Sequence, residues 1–241
     1  MTLRGTADVG VSAGDADAER DSKFYDERYS DTRFYGKHYS RSAYFPVFTA
    51  VVKELKRRNV HRVLEVGCGS GTLAEYILDK TSAEYAGFDF SSVAVERARK
   101  RLKRLDLFRV ADATNPDAYI VDYEFDCIVC TEVLEHIKED RTAISNWRSG
   151  TACICTVPNF PYEGHVRFFS NESEVSARYG DLIEFDSIQR ISKPILQGRT
   201  LKQYLTALRW SRNDPKRLLG LLGVQTFQNV GGWFVFAGRR R

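Results

Sequence analysis

The sequence predicts a three-layer α/β fold: a mainly parallel sheet with helices on both faces. Three observations predict it. Short apolar runs alternate with amphipathic stretches through the middle of the chain, as strands do when right-handed helical crossovers join them. One run, Arg62-Val-Leu-Glu-Val-Gly-Cys-Gly-Ser-Gly71, passes from a buried-strand pattern straight into a glycine turn that opens a helix. Three successive runs carry an acid at or near their ends, Glu65, Asp89 and Asp112, and ligands of open α/β sheets bind at those carboxyl ends.

A chain of 241 residues with 43% hydrophobic and 28% charged content suffices for one soluble α/β domain with a full core. The net charge of +4 does not by itself imply a nucleic-acid partner. The sequence contains no apolar run of bilayer length and no signal-peptide core, so no membrane partner and a cytoplasmic location are expected. Residues 1–22, small, polar and acidic, are expected to be a disordered tail, and 23–241 a single domain.

Taken in order, residues 23–60 form an N-terminal helical segment. Within it Phe24-Tyr-Asp-Glu-Arg-Tyr-Ser30 and Phe34-Tyr-Gly-Lys-His-Tyr-Ser40 share one aromatic pattern. It reads either as a lid, with Tyr25 and Tyr29 touching the pocket, or as plain packing. Pro46 opens a helix whose Val47, Phe48, Val51, Val52 and Leu55 share one face, ending near Asn59. The alternation then predicts strand 62–66, helix 72–80, strand 84–89, helix 92–103, strand 108–112, strand 125–130, helix 139–148 and strand 151–157. Beyond Asn159 it predicts a helix at 171–179, a strand at 182–190, a basic helical stretch at 199–221 and a final strand at 232–237, with 193–221 as an insertion. The five cysteines are odd in number and fall in strands or the turn, as reduced core residues do. Cys127 and Cys130 on one strand point to opposite faces, which argues against a metal or redox pair.

The glycine turn carries the ligand chemistry. Gly67, Gly69 and Gly71 lack the Cβ atoms that would keep a ligand off the backbone. Their G-x-G-x-G spacing differs from the G-x-G-x-x-G of dinucleotide sites. Glu65, two residues before the first glycine, would repel a pyrophosphate and attract a cationic ligand. S-adenosylmethionine, with its ammonium and sulfonium, fits. Asp89, about 20 residues on, stands where a ribose-binding acid is expected.

With Glu65-Val-Gly-Cys-Gly-Ser-Gly71, Gly87-Phe-Asp-Phe-Ser91, Ala111-Asp-Ala113 and Phe125-Asp-Cys-Ile-Val-Cys-Thr-Glu-Val-Leu-Glu-His136, the chain from about 43 to 158 resembles a class I S-adenosylmethionine-dependent methyltransferase. The resemblance implies a Rossmann-like, seven-stranded sheet with an antiparallel last strand. It implies that Glu65 and the Gly67 and Gly69 backbone hold the methionine end of the cofactor. Asp89 would accept from the ribose hydroxyls, Phe90 flank the adenine and Asp112 take its amine, with Ala113 and Thr131 also lining the cofactor.

Methyl transfer from a sulfonium is an in-line displacement, and an oxygen nucleophile also needs a base or a metal to lose its proton. Two places offer such groups. In Thr131-Glu-Val-Leu-Glu-His136, a helical turn would put Glu132, Glu135 and His136 on one face. They would either hold Mg²⁺ or another divalent ion, as in ubiquinone-pathway catechol O-methyltransferases and small-RNA 2′-O-methyltransferases, or line the cofactor without a metal. In Val157-Pro-Asn-Phe-Pro-Tyr-Glu-Gly-His-Val-Arg-Phe-Phe169, His165 is the candidate general base, with a pKa expected near neutrality. Tyr162, Arg167 and Phe168 would shape a ring-bearing or amphipathic acceptor. Thr131-Glu-Val-Leu134 stands where amino-methylating relatives carry Asn/Asp-Pro-Pro-Tyr, which argues against that chemistry. Arg199, Lys202, Arg209, Arg212, Lys216 and Arg217 would form a phosphate- or RNA-binding face or a solvated one. The leading reading is O-methylation of a small molecule, a sugar, natural product or metabolite. An RNA 2′-O-methyltransferase and a non-catalytic cofactor-binding partner protein are the alternatives.

Overall fold

A computed structural model describes residues 18–31, 35–122, 124–195 and 200–241. The expected tail through residue 17, Phe34 of the second aromatic motif and Arg199 of the basic stretch lie outside the described residues.

Seven strands form one sheet in the order β3-β2-β1-β4-β5-β7-β6. They are β1 (Arg62–Val66), β2 (Glu84–Asp89), β3 (Phe108–Val110), β4 (Cys127–Cys130), β5 (Ala152–Pro158), β6 (Ile183–Ser192) and β7 (Gly232–Arg240). β1 to β5 are parallel, and β7 runs antiparallel between β5 and β6. The sequence-predicted architecture is the observed one.

Alternation along each strand divides the core into two layers. Val63, Cys127, Val129, Ile154 and Val235 pack on one face; Leu64, Ile128, Cys130, Cys155, Phe234 and Phe236 pack on the other. Cys127 and Cys130 therefore sit in different layers. The first layer is closed by α2 (Phe45–Arg57) and α3 (Thr72–Lys80), through Val51, Leu55, Leu73 and Ile77. The second is closed by α5 (Asp140–Ser145) and α6 (Glu172–Tyr179), through Ile144, Val175 and Tyr179. Helix α4 (Ser92–Leu102) buries Ala94, Val95 and Ala98, and α1 (Ser22–Tyr29) buries no residue fully.

Several boundaries differ from the sequence reading; the expected helix 139–148, for one, is observed over Asp140–Ser145. β3 stops at Val110, so Asp112 stands in the turn beyond it, accepting from the Thr114 backbone and hydroxyl at 2.8 Å each. The basic stretch is two helices, α7 (Leu201–Trp210) and α8 (Pro215–Leu221). The break falls where Asp214 caps the second helix, accepting from the Arg217 N–H at 3.0 Å, with Pro215 as its first residue. The insertion then runs on through α9 (Phe227–Val230) to β7, because the Phe227 ring packs on Phe234, 5.0 Å between centroids.

β1 has β2 on one side and β4 on the other, so connections leave it in opposite directions. That reversal opens a crevice at the strands' carboxyl ends, flanked by the Gly67–Gly71 turn after β1 and the Thr131–His136 turn after β4.

Candidate functional site

The glycine turn is built for close approach. Gly67, Gly69 and Gly71 all have positive φ, at 70°, 51° and 74°, which side-chain-bearing residues adopt at a cost. A Cβ on Gly67 would lie 2.2 Å from Val133 Cγ2, and one on Gly69 would lie 2.7 Å from the Tyr29 hydroxyl. Tyr29 thus lies directly over the turn.

Glu65 is 2% exposed, and its carboxylate accepts from the Tyr85 hydroxyl at 2.5 Å. Burial pushes its pKa up to about 8, and the tyrosine offsets only part of that. Asp89, at the end of β2, accepts from the backbone N–H groups of Gly69 and Ser91, each at 2.9 Å. Burial still raises its pKa to about 6. Both acids are poised to ionise fully when a cation or hydroxyl donors arrive.

Two cavities meet here. One, of ≈ 620 Å³, runs along Asp89, Phe90, Asp112, Ala113 and Val133. The other, of ≈ 170 Å³, lies over Glu65, Thr131, His165 and the rings of Tyr44, Phe48 and Tyr162. Gly67, Tyr25, Tyr29, Glu132 and His136 border both. All the residues expected to hold the cofactor line one or both cavities.

The N-terminal helix forms the roof. Tyr25 packs on Phe90 at 5.1 Å between centroids and places its hydroxyl 2.8 Å from His136 Nδ1. Two residues of this helix missed in the sequence reading fasten it. Asp26 accepts from the Ser91 hydroxyl at 2.5 Å and the Val93 N–H at 3.2 Å, and so caps α4 from outside. Arg28 donates to the Tyr162 hydroxyl at 2.9 Å and to Glu163 at 3.2 Å, which ties the roof to the loop after β5. Both lie in the aromatic segment that the sequence marks, but their partners are more than sixty residues away.

Thr131–His136 is an irregular turn, not a regular helical turn. Glu132 has φ 56°, and Thr156 pins it, accepting from its N–H at 3.0 Å and donating to its carboxylate at 3.1 Å. Burial lifts Glu132 to about 7. Glu135 is fully buried, and neither of its oxygens has a hydrogen-bond partner among the described residues. Burial holds its pKa well above the usual carboxylate range, and the neighbouring Glu132 raises it further.

His165, from the next loop, completes the group. Ligand-capable atoms of Glu135, His136 and His165 lie within 4.8 Å of one another. His136 Nδ1 is 2.8 Å from the Gly164 carbonyl, and His165 Nδ1 is 3.2 Å from the Phe160 carbonyl. A carbonyl only accepts, so each Nδ1 carries the proton and each Nε2 keeps a lone pair. Burial lowers His136 to about 4 and His165 to about 3, the second further depressed by the first. The near-neutral pKa expected for His165 is therefore not found; its imidazole is neutral and a weak base.

Two expected substrate contacts lie elsewhere. Arg167 donates to the carbonyls of Leu134, Ile137 and Lys138 and pairs with buried Asp140 at 3.2 Å. It holds the Glu135 turn in place and borders neither cavity. Phe168, 47% exposed, borders neither cavity as well. Its neighbour Phe169 takes the inward position of the loop, 4% exposed in the core layer against Tyr179.

A family model described as a methyltransferase domain matches residues 64–152, the stretch from β1 into β5. The ubiquinone biosynthesis O-methyltransferase of Alkalilimnicola ehrlichii is 32% identical over 92 residues, covering 34% of this chain and 34% of that protein. The chloroplastic tocopherol O-methyltransferase of Arabidopsis thaliana is 32% identical over 97 residues, 38% of this chain and 27% of that protein. The chain thus spans about a third of the length of the curated relatives it matches. Among solved structures, a chain of a Haloferax volcanii complex between a methyltransferase and its activator aligns with TM-score 0.61 at 16% identity, over 90% of this chain and 97% of that one. A Geobacter sulfurreducens S-adenosylmethionine-dependent methyltransferase, solved with S-adenosyl-L-homocysteine, aligns with TM-score 0.50 at 18% identity, over 80% and 90%. At these identities the structural likeness establishes the fold.

Proposed function

This chain carries a domain of the class I S-adenosylmethionine-dependent methyltransferase family, and on that premise we propose that it transfers a methyl group to a hydroxyl of a small, ring-bearing acceptor with the help of a divalent ion. The observation that carries the reading is the junction of the two cavities at Gly67, Glu132 and His136. S-adenosylmethionine would span both cavities, its adenosine along Asp89, Phe90 and Asp112 in the larger and its ammonium at Glu65 in the smaller. The methyl group would then lie near their junction. The tyrosine and phenylalanine rings of the smaller cavity suit an aromatic acceptor, in keeping with the names of the ubiquinone and tocopherol relatives.

Glu135, His136 and His165 would hold the ion, with Glu132 at their side. A buried carboxylate lacking any partner is costly, and an ion beside it removes that cost. Two imidazoles and a carboxylate suit Mn²⁺, Zn²⁺ or Fe²⁺ better than Mg²⁺. When bound, such an ion acidifies a coordinated hydroxyl. His165 serves as a ligand in this reading and not as the general base, because a group that protonates near pH 3 draws protons poorly at neutral pH. Glu132, held beside the three ligands by Thr156, would be the acceptor of the hydroxyl proton. The roof helix keeps water from the reacting atoms.

Calorimetric titration with S-adenosyl-L-homocysteine, followed by methyl-transfer assays on catechols with Mn²⁺ and with EDTA, tests the reading. Micromolar binding and ion-dependent transfer support it. Binding of NAD in place of S-adenosyl-L-homocysteine would end it. The RNA 2′-O-methyltransferase reading uses the same donors and is separated by transfer to an RNA 3′ end.

A further inference from the structure

The insertion before β7 has no part in the site described above, yet it has a marked composition. Between 200 and 231, Lys202, Arg209, Arg212, Lys216 and Arg217 stand against a single acid, Asp214. Five cations and one acid leave this segment at +4, the net charge of the whole chain, so the remaining residues balance.

Several of its large apolar side chains point outward. On α7 the buried position is Ala207, and the Tyr204 hydroxyl anchors the helix by donating to the Leu221 carbonyl at 2.8 Å. Leu201 and Leu205, one helical turn apart, are left 74% and 56% exposed, and Trp210 at the helix end is 80% exposed. Leu222, past α8, is 63% exposed. Lys202 and Arg209 are seven residues apart, hence on one flank of the leucine stripe. An apolar stripe turned to solvent and flanked by cations is the arrangement of helices that lie in a lipid interface.

We propose that this segment docks the protein on an anionic lipid surface, with Leu201 and Leu205 entering the headgroup layer. Charge complementarity selects this occupant. A second copy of the chain would bring one +4 segment against another. A nucleic acid would satisfy the cations and leave the leucines and tryptophan in water. Only an acidic bilayer surface takes both. No described helix is long and apolar enough to cross a membrane, so the contact is peripheral. Both ends of the segment reach the loop that carries His165: Gly232 donates to Asn159 Oδ1 at 2.8 Å, and Lys193 Nζ lies 4.6 Å from the Phe160 ring centroid. The inference does not depend on the methyltransferase reading.

The test is flotation of the full chain with vesicles of phosphatidylcholine alone and of equal parts phosphatidylcholine and phosphatidylglycerol, at low and high salt. Binding to the anionic vesicles alone, lost in high salt, is expected. The double variant Lys202→Glu, Arg209→Glu should weaken it by at least roughly thirtyfold at about 1 kcal/mol per cation. Leu201→Ser with Leu205→Ser should weaken it as well, while unchanged far-UV circular dichroism and melting temperature show that both variants fold. Failure to bind either vesicle overturns the proposal, as does equal binding to neutral vesicles. Salt-sensitive binding of a single-stranded oligouridylate without vesicle binding, or a dimer that covers Leu201 and Leu205, overturns it as well.

Discussion

Cofactor binding should expel a proton from Glu65, and its size follows from the structure. The empty site holds this carboxyl at about 8 because burial disfavours its charge. At pH 7 roughly nine in ten copies are therefore protonated. A ligand ammonium at the glycine turn needs the ionised form, so binding at pH 7 should release about 0.9 proton from this group. The ligand's α-ammonium has an ordinary pKa of about 8 and loses charge above that. The product of the two charged fractions rises about eightfold from pH 6 to 7 and about threefold more to pH 8, then declines. Asp89, raised to about 6, steepens the acid side by up to about twofold at pH 6. The sign for stability is opposite. A carboxyl whose folded pKa is raised contributes most below its unfolded pKa, and the empty protein loses that contribution as pH climbs toward 8. Calorimetric titration of S-adenosyl-L-homocysteine at pH 7 in buffers of different ionisation enthalpy counts the protons directly. Glu65→Gln should bind more weakly and release almost none. A parent protein that releases no proton, with affinity flat from pH 6 to 8, would refute the assignment of Glu65 to the cationic end of the ligand.

Glu135→Leu removes a buried carboxyl that has no hydrogen-bond partner at normal distance among the described residues. It should raise urea stability in EDTA by about 1–3 kcal/mol while abolishing the thermal shift produced by Mn²⁺. Gly67→Ala sets a Cβ 2.2 Å from Val133 Cγ2 at φ 70°; a loss of about 1–3 kcal/mol in urea denaturation is expected, only partly restored by Val133→Ala. Asp26→Ala removes two of the bonds that hold the roof helix at α4 and leaves that of Arg97 to the Ser30 carbonyl. Dissociation of S-adenosyl-L-homocysteine, followed by stopped flow, should accelerate roughly tenfold with little change in melting temperature.

The alternation of strands and helices, and the glycines and acids at the strands' carboxyl ends, were legible because they are written locally. Each glycine and acid sits at the end of its own strand, and the alternation of apolar residues fixes the face each strand shows. The acceptor side was less legible. Glu135 reads as one acid among several until its burial shows that no partner reaches it. His165 reads as a base until the Phe160 carbonyl and the burial that lowers its pKa are seen. Arg167 looks like a substrate clamp in a loop, yet three carbonyls of the preceding turn claim its guanidinium. Asp26 and Arg28 belong to a motif the sequence marks, but their roles depend on contacts that only the folded chain brings together. The leucines of α7 stand at the spacing of a core face, whereas Ala207 faces the domain and Leu201 and Leu205 face outward.

The most direct test is a crystal structure grown with S-adenosyl-L-homocysteine and Mn²⁺, with anomalous data collected near the manganese edge. The account predicts the ligand's amino group at Glu65, its ribose at Asp89, and an anomalous peak bonded to Glu135 and to Nε2 of His136 and His165. Ligand density in the crevice with no peak among those three residues at saturating Mn²⁺ would contradict the metal-assisted mechanism. Absence of the ligand from the crevice would contradict the cofactor site itself.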